Sequence, residues 1–130
     1  MDSRIEPLEM LGLRPGDAKI MRNAGARVTD DVLRTLALAV WLLGVKRVLV
    51  VPHTQCRMAQ SSESEIRALI ADQHGVDTAW MDFATIDDPV ATLQKDVAKI
   101  RSFPMLPDSL AVHGLMYDVQ TGRLLDVLDH

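Results

Sequence analysis

Two residue types that bind borderline-soft metals stand three apart in His53-Thr54-Gln55-Cys56. A neutral imidazole and a thiolate at that spacing can both turn toward one ion, and zinc is the usual choice. Two ligands do not hold a zinc; three or four do. The same residues also fit an inert buried thiol beside a loop histidine, and so short a motif does not separate the two readings. Near the start of the chain, Asp2 and Arg4 are two apart. That spacing suits a carboxylate and a guanidinium pairing across a tight turn, with a frayed, solvated terminus as the alternative.

The element that must present His53 and Cys56 is the run before them. Val48-Leu49-Val50-Val51 reads as a fully buried strand over 48–51, because three of its four residues are β-branched and none is polar. Pro52 cannot donate to a ladder and ends it. His53 and Cys56 then follow a strand's C-terminal end, where open parallel α/β sheets bind their ligands.

The other elements are built around that strand. Residues 5–13 suit a short helix or turn ending near Gly12, and Pro15-Gly16-Asp17 a turn. Residues 18–21 form a strand candidate that delivers Arg22-Asn23-Ala24-Gly25 into a loop. Thr29 can cap a helix with Asp30 and Asp31 in its first turn and Leu33, Leu36, Ala37, Val40 and Leu43 on one face, stopping at Gly44. Arg34 on that helix points to solvent or to a subunit contact. Ser62-x-x-Glu65 is a capping box ahead of Ile66, Leu69 and Ile70, and this helix ends near His74-Gly75. Residues 78–83 are expected to be extended. Asp88-Pro89 opens a helix with Val90, Leu93, Val97 and Ile100 buried. Residues 110–116 and 123–128 read as two strands joined by a turn over 118–122, an antiparallel return. His74, in a last helical turn, and His113, alternating with apolar neighbours, read as non-ligands. The pattern predicts an α/β fold: a mainly parallel sheet flanked by helices, with a C-terminal antiparallel edge strand.

Composition narrows the function classes. The 130 residues are 48% apolar and 25% charged, as in an ordinary globular domain. The net charge of −4, without a basic stripe, argues against a nucleic-acid partner. One cysteine excludes an internal disulfide and makes a reducing, cytoplasmic setting the simpler reading. No apolar run approaches membrane-spanning length, and the start lacks the basic and apolar regions of a signal peptide.

Taken together, these pieces resemble the β-class carbonic anhydrases. The pieces are Met1-Asp2-Ser3-Arg4, the run from Leu11 to Ala18, Arg22-Asn23-Ala24-Gly25, Val28-Thr29-Asp30-Asp31, His53-Thr54-Gln55-Cys56, and a closing run from His113 to Leu124 that looks like the family's hairpin. Their order and spacing carry the resemblance along nearly the whole chain. It implies Zn2+ as cofactor, held by Cys, His and Cys, with His53 and Cys56 as the second and third protein ligands. It also implies that Asp2 and Arg4 form the catalytic Asp–Arg dyad. The family's first zinc cysteine would lie one residue before Met1, outside this sequence, as would the strand leading to it. The chain therefore reads as a single β-carbonic anhydrase-like domain over 1–130, N-terminally truncated relative to the family.

The activity implied is reversible hydration of CO2 to bicarbonate, by a homodimer or higher homo-oligomer with its site near a subunit interface. Two alternatives stay open: a non-catalytic binding or interaction protein on the same fold, and a hydrolase of carbonyl sulfide or carbon disulfide. The retained Asp–Arg pair and His-x-x-Cys favour an incomplete start over a lost activity. The family's missing strand would lie between 18–21 and 48–51. The 130 residues alone are therefore expected to fold poorly, bind zinc weakly and show little hydration.

Overall fold

Side-chain caps set where the helices begin. The structure, a computed structural model, describes residues 1–128. Helix α1 (Pro7–Leu11) opens on proline, whose absent N–H is no loss in a first turn. Helix α2 (Asp30–Leu43) is capped by Thr29, whose side chain accepts from the Val32 N–H, with Asp30 and Asp31 behind it. Ser62 caps α3 (Glu63–His74) through the Glu65 N–H. Asp88 caps α4 (Pro89–Arg101) through the N–H groups of Val90 and Ala91.

Strand β1 (Arg47–Val50) lies parallel to β2 (Ala111–Gly114), with Val48 opposite Val112 and Val50 opposite Gly114. Strands β3 (Met116–Asp118) and β4 (Arg123–Leu125) form the antiparallel return. This is the α/β arrangement the pattern predicts. The core lies between the sheet and two helices: Leu33, Leu36 and Ala37 of α2 and Leu93, Val97 and Ile100 of α4 meet Val50 and Val112. Helix α3 contributes no buried residue.

The structure departs from the sequence reading in several places, each with a physical cause. Residues 18–21 form no strand; an extended segment becomes a strand only by pairing, and among the described residues nothing pairs with it. For the same reason 48–51 is not a fully buried strand. Its one ladder partner is β2, Val51 lies outside it, and Leu49 is 39% exposed. Residues 78–83 are not extended either. Asp77 and Asp82 each accept from the N–H two residues on, and such side-chain turns compete with strand geometry. Helix α3 holds that segment from outside, through Glu63 on the Phe83 and Thr85 N–H groups and Arg67 on the Thr78 and Met81 carbonyls. Val90 and Leu43, read as core, are exposed. The return strand is shorter than 123–128, ending at Leu125.

The predicted strand over 110–116 divides at Leu115 into β2 and β3; from Met116 the chain gains β4 as an antiparallel neighbour, while its pairing with the segment that follows β1 continues. Gly114 stands at the division. A Cβ there would come within 2.9 Å of Leu128 Cδ1, Leu93 Cδ1 and Val97 Cγ2, so only glycine lets α4 and the tail pack on the strand. Forcing a methyl group into such a contact typically costs about 1–3 kcal/mol. Gly114→Ala should lower the unfolding free energy by that amount in urea titration; an unchanged midpoint would contradict this packing.

Candidate active site

The chain turns sharply after Met1, and the turn is closed by its own side chains. The Ile5 N–H donates to the Asp2 carbonyl at 3.2 Å. The Arg4 N–H donates to Asp2 Oδ1 at 2.8 Å. Arg4 Nε reaches Oδ1 and Oδ2 at 3.0 and 3.1 Å, and Nη2 reaches Oδ2 at 2.6 Å. A planar fork on a carboxylate fixes orientation as well as charge. The Arg4 side chain, and after it the Arg4 backbone N–H, hold the Asp2 carboxyl well below the usual carboxylate range, with His53 adding to the effect. The Arg4 guanidinium is raised in return, first by its hydrogen bond to Asp2.

His53 comes to this carboxylate from the end of β1. The ladder of β1 does not stop with the strand: the Tyr117 N–H donates to the Pro52 carbonyl and the Thr54 N–H to the Tyr117 carbonyl, both at 2.9 Å. Thr54 Oγ1 also accepts from the Val119 N–H at 3.1 Å. Residues 52–54 are thus stitched to β3. His53 Nδ1 lies 2.7 Å from the Thr54 carbonyl. A carbonyl only accepts, so Nδ1 carries the hydrogen and fixes the ring. Nε2 then points at Asp2 Oδ2, 3.6 Å away, free to present a lone pair to a cation.

Cys56 closes the same turn. It is 7% exposed and carries the only thiol of the sequence. Gln55, between the two, adopts φ 54, a left-handed conformation that costs a residue with a Cβ about 1–2 kcal/mol. Its carbonyl lies 3.4 Å from Arg4 Nη2, so the dyad and the His53–Cys56 turn are directly linked.

The structure therefore brings Asp2, Arg4 and His53 together and places Cys56 at the far end of the His53 turn. The donors suit zinc in kind: a ring nitrogen with a fixed tautomer and a buried thiol. They do not suit it in number, because no group of three or more His, Cys, Asp or Glu able to hold a metal occurs among the described residues. Two further residues shape the site. Arg22 Nη2 donates to the Asp2 carbonyl at 2.5 Å, and the Asn23 carbonyl accepts from the Met1 ammonium at 2.8 Å. The loop after 18–21 supplies both. Tyr117 was not singled out from sequence, because its contribution is made by the backbone.

Comparison with known proteins agrees with this geometry. A family model described as carbonic anhydrase matches residues 1–124. The chain is 33% identical to beta-carbonic anhydrase 1 of Mycobacterium tuberculosis over 127 residues, covering 98% of this chain and 77% of that protein. It is 30% identical to carbon disulfide hydrolase of Saccharolobus solfataricus, over 95% of this chain and 72% of that one. Among solved structures, a carbonic anhydrase from Streptococcus mutans superposes with a TM-score of 0.94 at 37% identity, covering 98% of this chain and 77% of the other. With the strand-end His-x-x-Cys turn and the clamped Asp–Arg pair, these matches mean that the chain belongs to the carbonic anhydrase family, in its β class.

Proposed function

We propose that this protein catalyses the reversible hydration of CO2 to bicarbonate. The observation that carries the reading is the Asp2 carboxylate, forked by Arg4 and facing His53 Nε2 at 3.6 Å, in a chain of this family. Zinc supplies one thing when bound: it makes water acidic enough, with a pKa of about 7, to act as a nucleophile at neutral pH. His53 and Cys56 are two of its ligands. The third is a cysteine thiolate carried by a strand seated on the open edge of β1, outside residues 1–128. The unpaired segment 18–21 and the exposed Leu49 support that reading.

The remaining steps belong to Asp2 and its neighbours. Asp2 accepts a hydrogen bond from the attacking water and orients its lone pair toward carbon. Arg4 keeps Asp2 ionised, so it stays an acceptor. Arg22, on the Asp2 carbonyl, fixes the backbone that aims the carboxylate. CO2 is small and apolar and needs no charged anchor.

Hydrolysis of carbon disulfide or carbonyl sulfide is a second reading, favoured by the 30% identity to a carbon disulfide hydrolase. The residue roles are the same and only the substrate differs.

The helix surface also supports self-association. Leu38, Trp41, Leu42 and Leu43 of α2 are 45%, 61%, 72% and 60% exposed, a cluster of the kind that marks an interaction face. Among the described residues no helix is long and apolar enough to cross a membrane. A reducing, cytoplasmic compartment suits a site that needs its thiol free.

Three outcomes are expected. First, placing a Val/Ile-rich strand ending in Cys ahead of Met1 should raise zinc content and CO2 hydration together and sharpen thermal unfolding. An unextended 130-residue chain that is zinc-replete and active would refute the missing-ligand reading, and faster turnover of carbon disulfide than of CO2 would favour the second substrate. Asp2→Asn in the active form should lower kcat/KM by about 100-fold or more. Second, Asp2 should titrate below the ordinary value of about 3.9 in carboxyl NMR, and Arg4→Ala should move it back up. Because the folded value is depressed, the dyad's contribution to stability is present above the ordinary carboxylate pKa and is lost as pH falls through the folded value. An unshifted Asp2 would contradict the clamp. Third, sedimentation should show a dimer or larger species at micromolar concentration; a compact monomer throughout would count against self-association.

A further inference from the structure

Asp96 is the one charged residue buried among the described residues, at 4% exposure on α4. A buried carboxylate persists only when its oxygens are satisfied. Asp96 accepts from Arg27 Nε at 2.8 Å, from Arg27 Nη2 at 3.3 Å and from the Val28 N–H at 3.2 Å. The other side of the Arg27 guanidinium donates to the carbonyls of Ala84 and Thr85 at 2.9 and 3.3 Å. The cleft beside the pair offers about 10 Å³ to water, at the lower limit for one molecule. The pair is thus held by protein groups, and nothing in the proposed chemistry uses it directly.

What the pair does use is the loop between Arg22 and Val28. Asn23 grips the Arg27 backbone at both ends, donating to its carbonyl at 2.8 Å and accepting from its N–H at 2.9 Å. The loop between them packs on two segments. Gly25, at φ 81, would place a Cβ 3.1 Å from Ile86 Cδ1 and 3.4 Å from Met58 Cβ, and the Ile86 N–H donates to the Met58 carbonyl at 2.8 Å. Met58 lies two residues after Cys56. The same loop reaches the dyad through Arg22, whose Nη2 donates to the Asp2 carbonyl.

We propose that Arg27 and Asp96 are positioning residues: their buried pair anchors the 22–28 loop to α4 and so sets where Asp2 and Cys56 stand relative to each other. The inference rests on the proposed zinc site, but its test does not need a working hydratase. In the chain extended ahead of Met1 by a Val/Ile-rich strand ending in Cys, Asp96→Asn keeps the shape and removes the charge. Val97→Ala, the next residue of the same helix, serves as a control that loosens the core while keeping the Asp96–Arg27 hydrogen bonds. The readouts are the rate of iodoacetamide labelling of Cys56 in metal-free protein, resolved by peptide mass, zinc affinity by chelator competition, and thermal unfolding. D96N should label Cys56 about tenfold faster and lose about tenfold in zinc affinity, the lower end of what removing a group bonded directly to a zinc ligand costs. V97A should leave both nearly unchanged, even where its loss in Tm is equal or larger. Unchanged labelling and affinity in D96N, or V97A matching D96N at equal Tm, would overturn the proposal. If D96N does not fold, Arg27→Met with Asp96→Leu removes both charges at once and is read by the same two criteria. Faster labelling of D96N alongside a parent protein that binds no zinc would refute the zinc reading and leave the positioning role standing.

Discussion

Past Val50 the strand β1 ends, yet its hydrogen bonding to the C-terminal segment continues. The Leu115 N–H donates to the Val50 carbonyl, Tyr117 to Pro52, and Thr54 back to Tyr117. That continuation is the constraint on which the site depends. It carries Pro52 and His53 out of the core in a fixed direction, although neither belongs to a strand and Pro52 can only accept. The register is unbroken, with Val50 opposite Gly114 and His53 opposite Tyr117, so one C-terminal segment serves both the sheet and the loop that bears His53. A fold that lost the second half of this ladder would keep its core and lose the aim of its histidine.

Two arginine–carboxylate pairs flank the site, and they differ in kind. Arg4–Asp2 is the more open pair, with the Arg4 side chain 51% and the Asp2 side chain 19% exposed. Exposed pairs contribute little to stability, so its effect lies in the direction and ionisation of one carboxylate. Arg27–Asp96 is buried, at 22% and 6% side-chain exposure. Removing one partner there would strand a charge in the interior, which makes the 22–28 loop hard to displace. Arg22 and Asn23 lie between the two pairs, Arg22 on the Asp2 carbonyl and Asn23 on the Arg27 backbone.

Much of this was legible in the sequence. Thr29, Ser62 and Asp88 start their helices where their side chains can reach an N–H, which is a local rule and needs no tertiary context. The His53–Cys56 turn at the end of a Val-rich run, and the Asp2–Arg4 spacing, were equally local. The reading failed where partners decide. Residues 18–21 are apolar enough for a strand and lack a pairing neighbour among the described residues. Leu49 belongs to a strand that looked wholly buried and is open on one edge. Residues 78–83 look extended until Asp77 and Asp82 fold the backbone on themselves. Asp96 and Arg27 could not be paired from sequence, since 69 positions separate them and each looks like an ordinary surface charge on its own. The signal that could have found them is weak: an Asp at a position where Leu93, Val97 and Ile100 place the buried face of α4.

The central claim is that His53 and Cys56 are two of three protein ligands to zinc and that a second thiolate completes the set. X-ray absorption at the zinc edge of the zinc-loaded chain, extended ahead of Met1 by a strand ending in Cys, tests it most directly. The account predicts two sulfur neighbours at about 2.3 Å and at least one nitrogen at about 2.0–2.1 Å, with one sulfur lost in Cys56→Ser and the nitrogen lost in His53→Ala. A zinc shell of oxygen and nitrogen alone, or one that neither substitution changes, would contradict it.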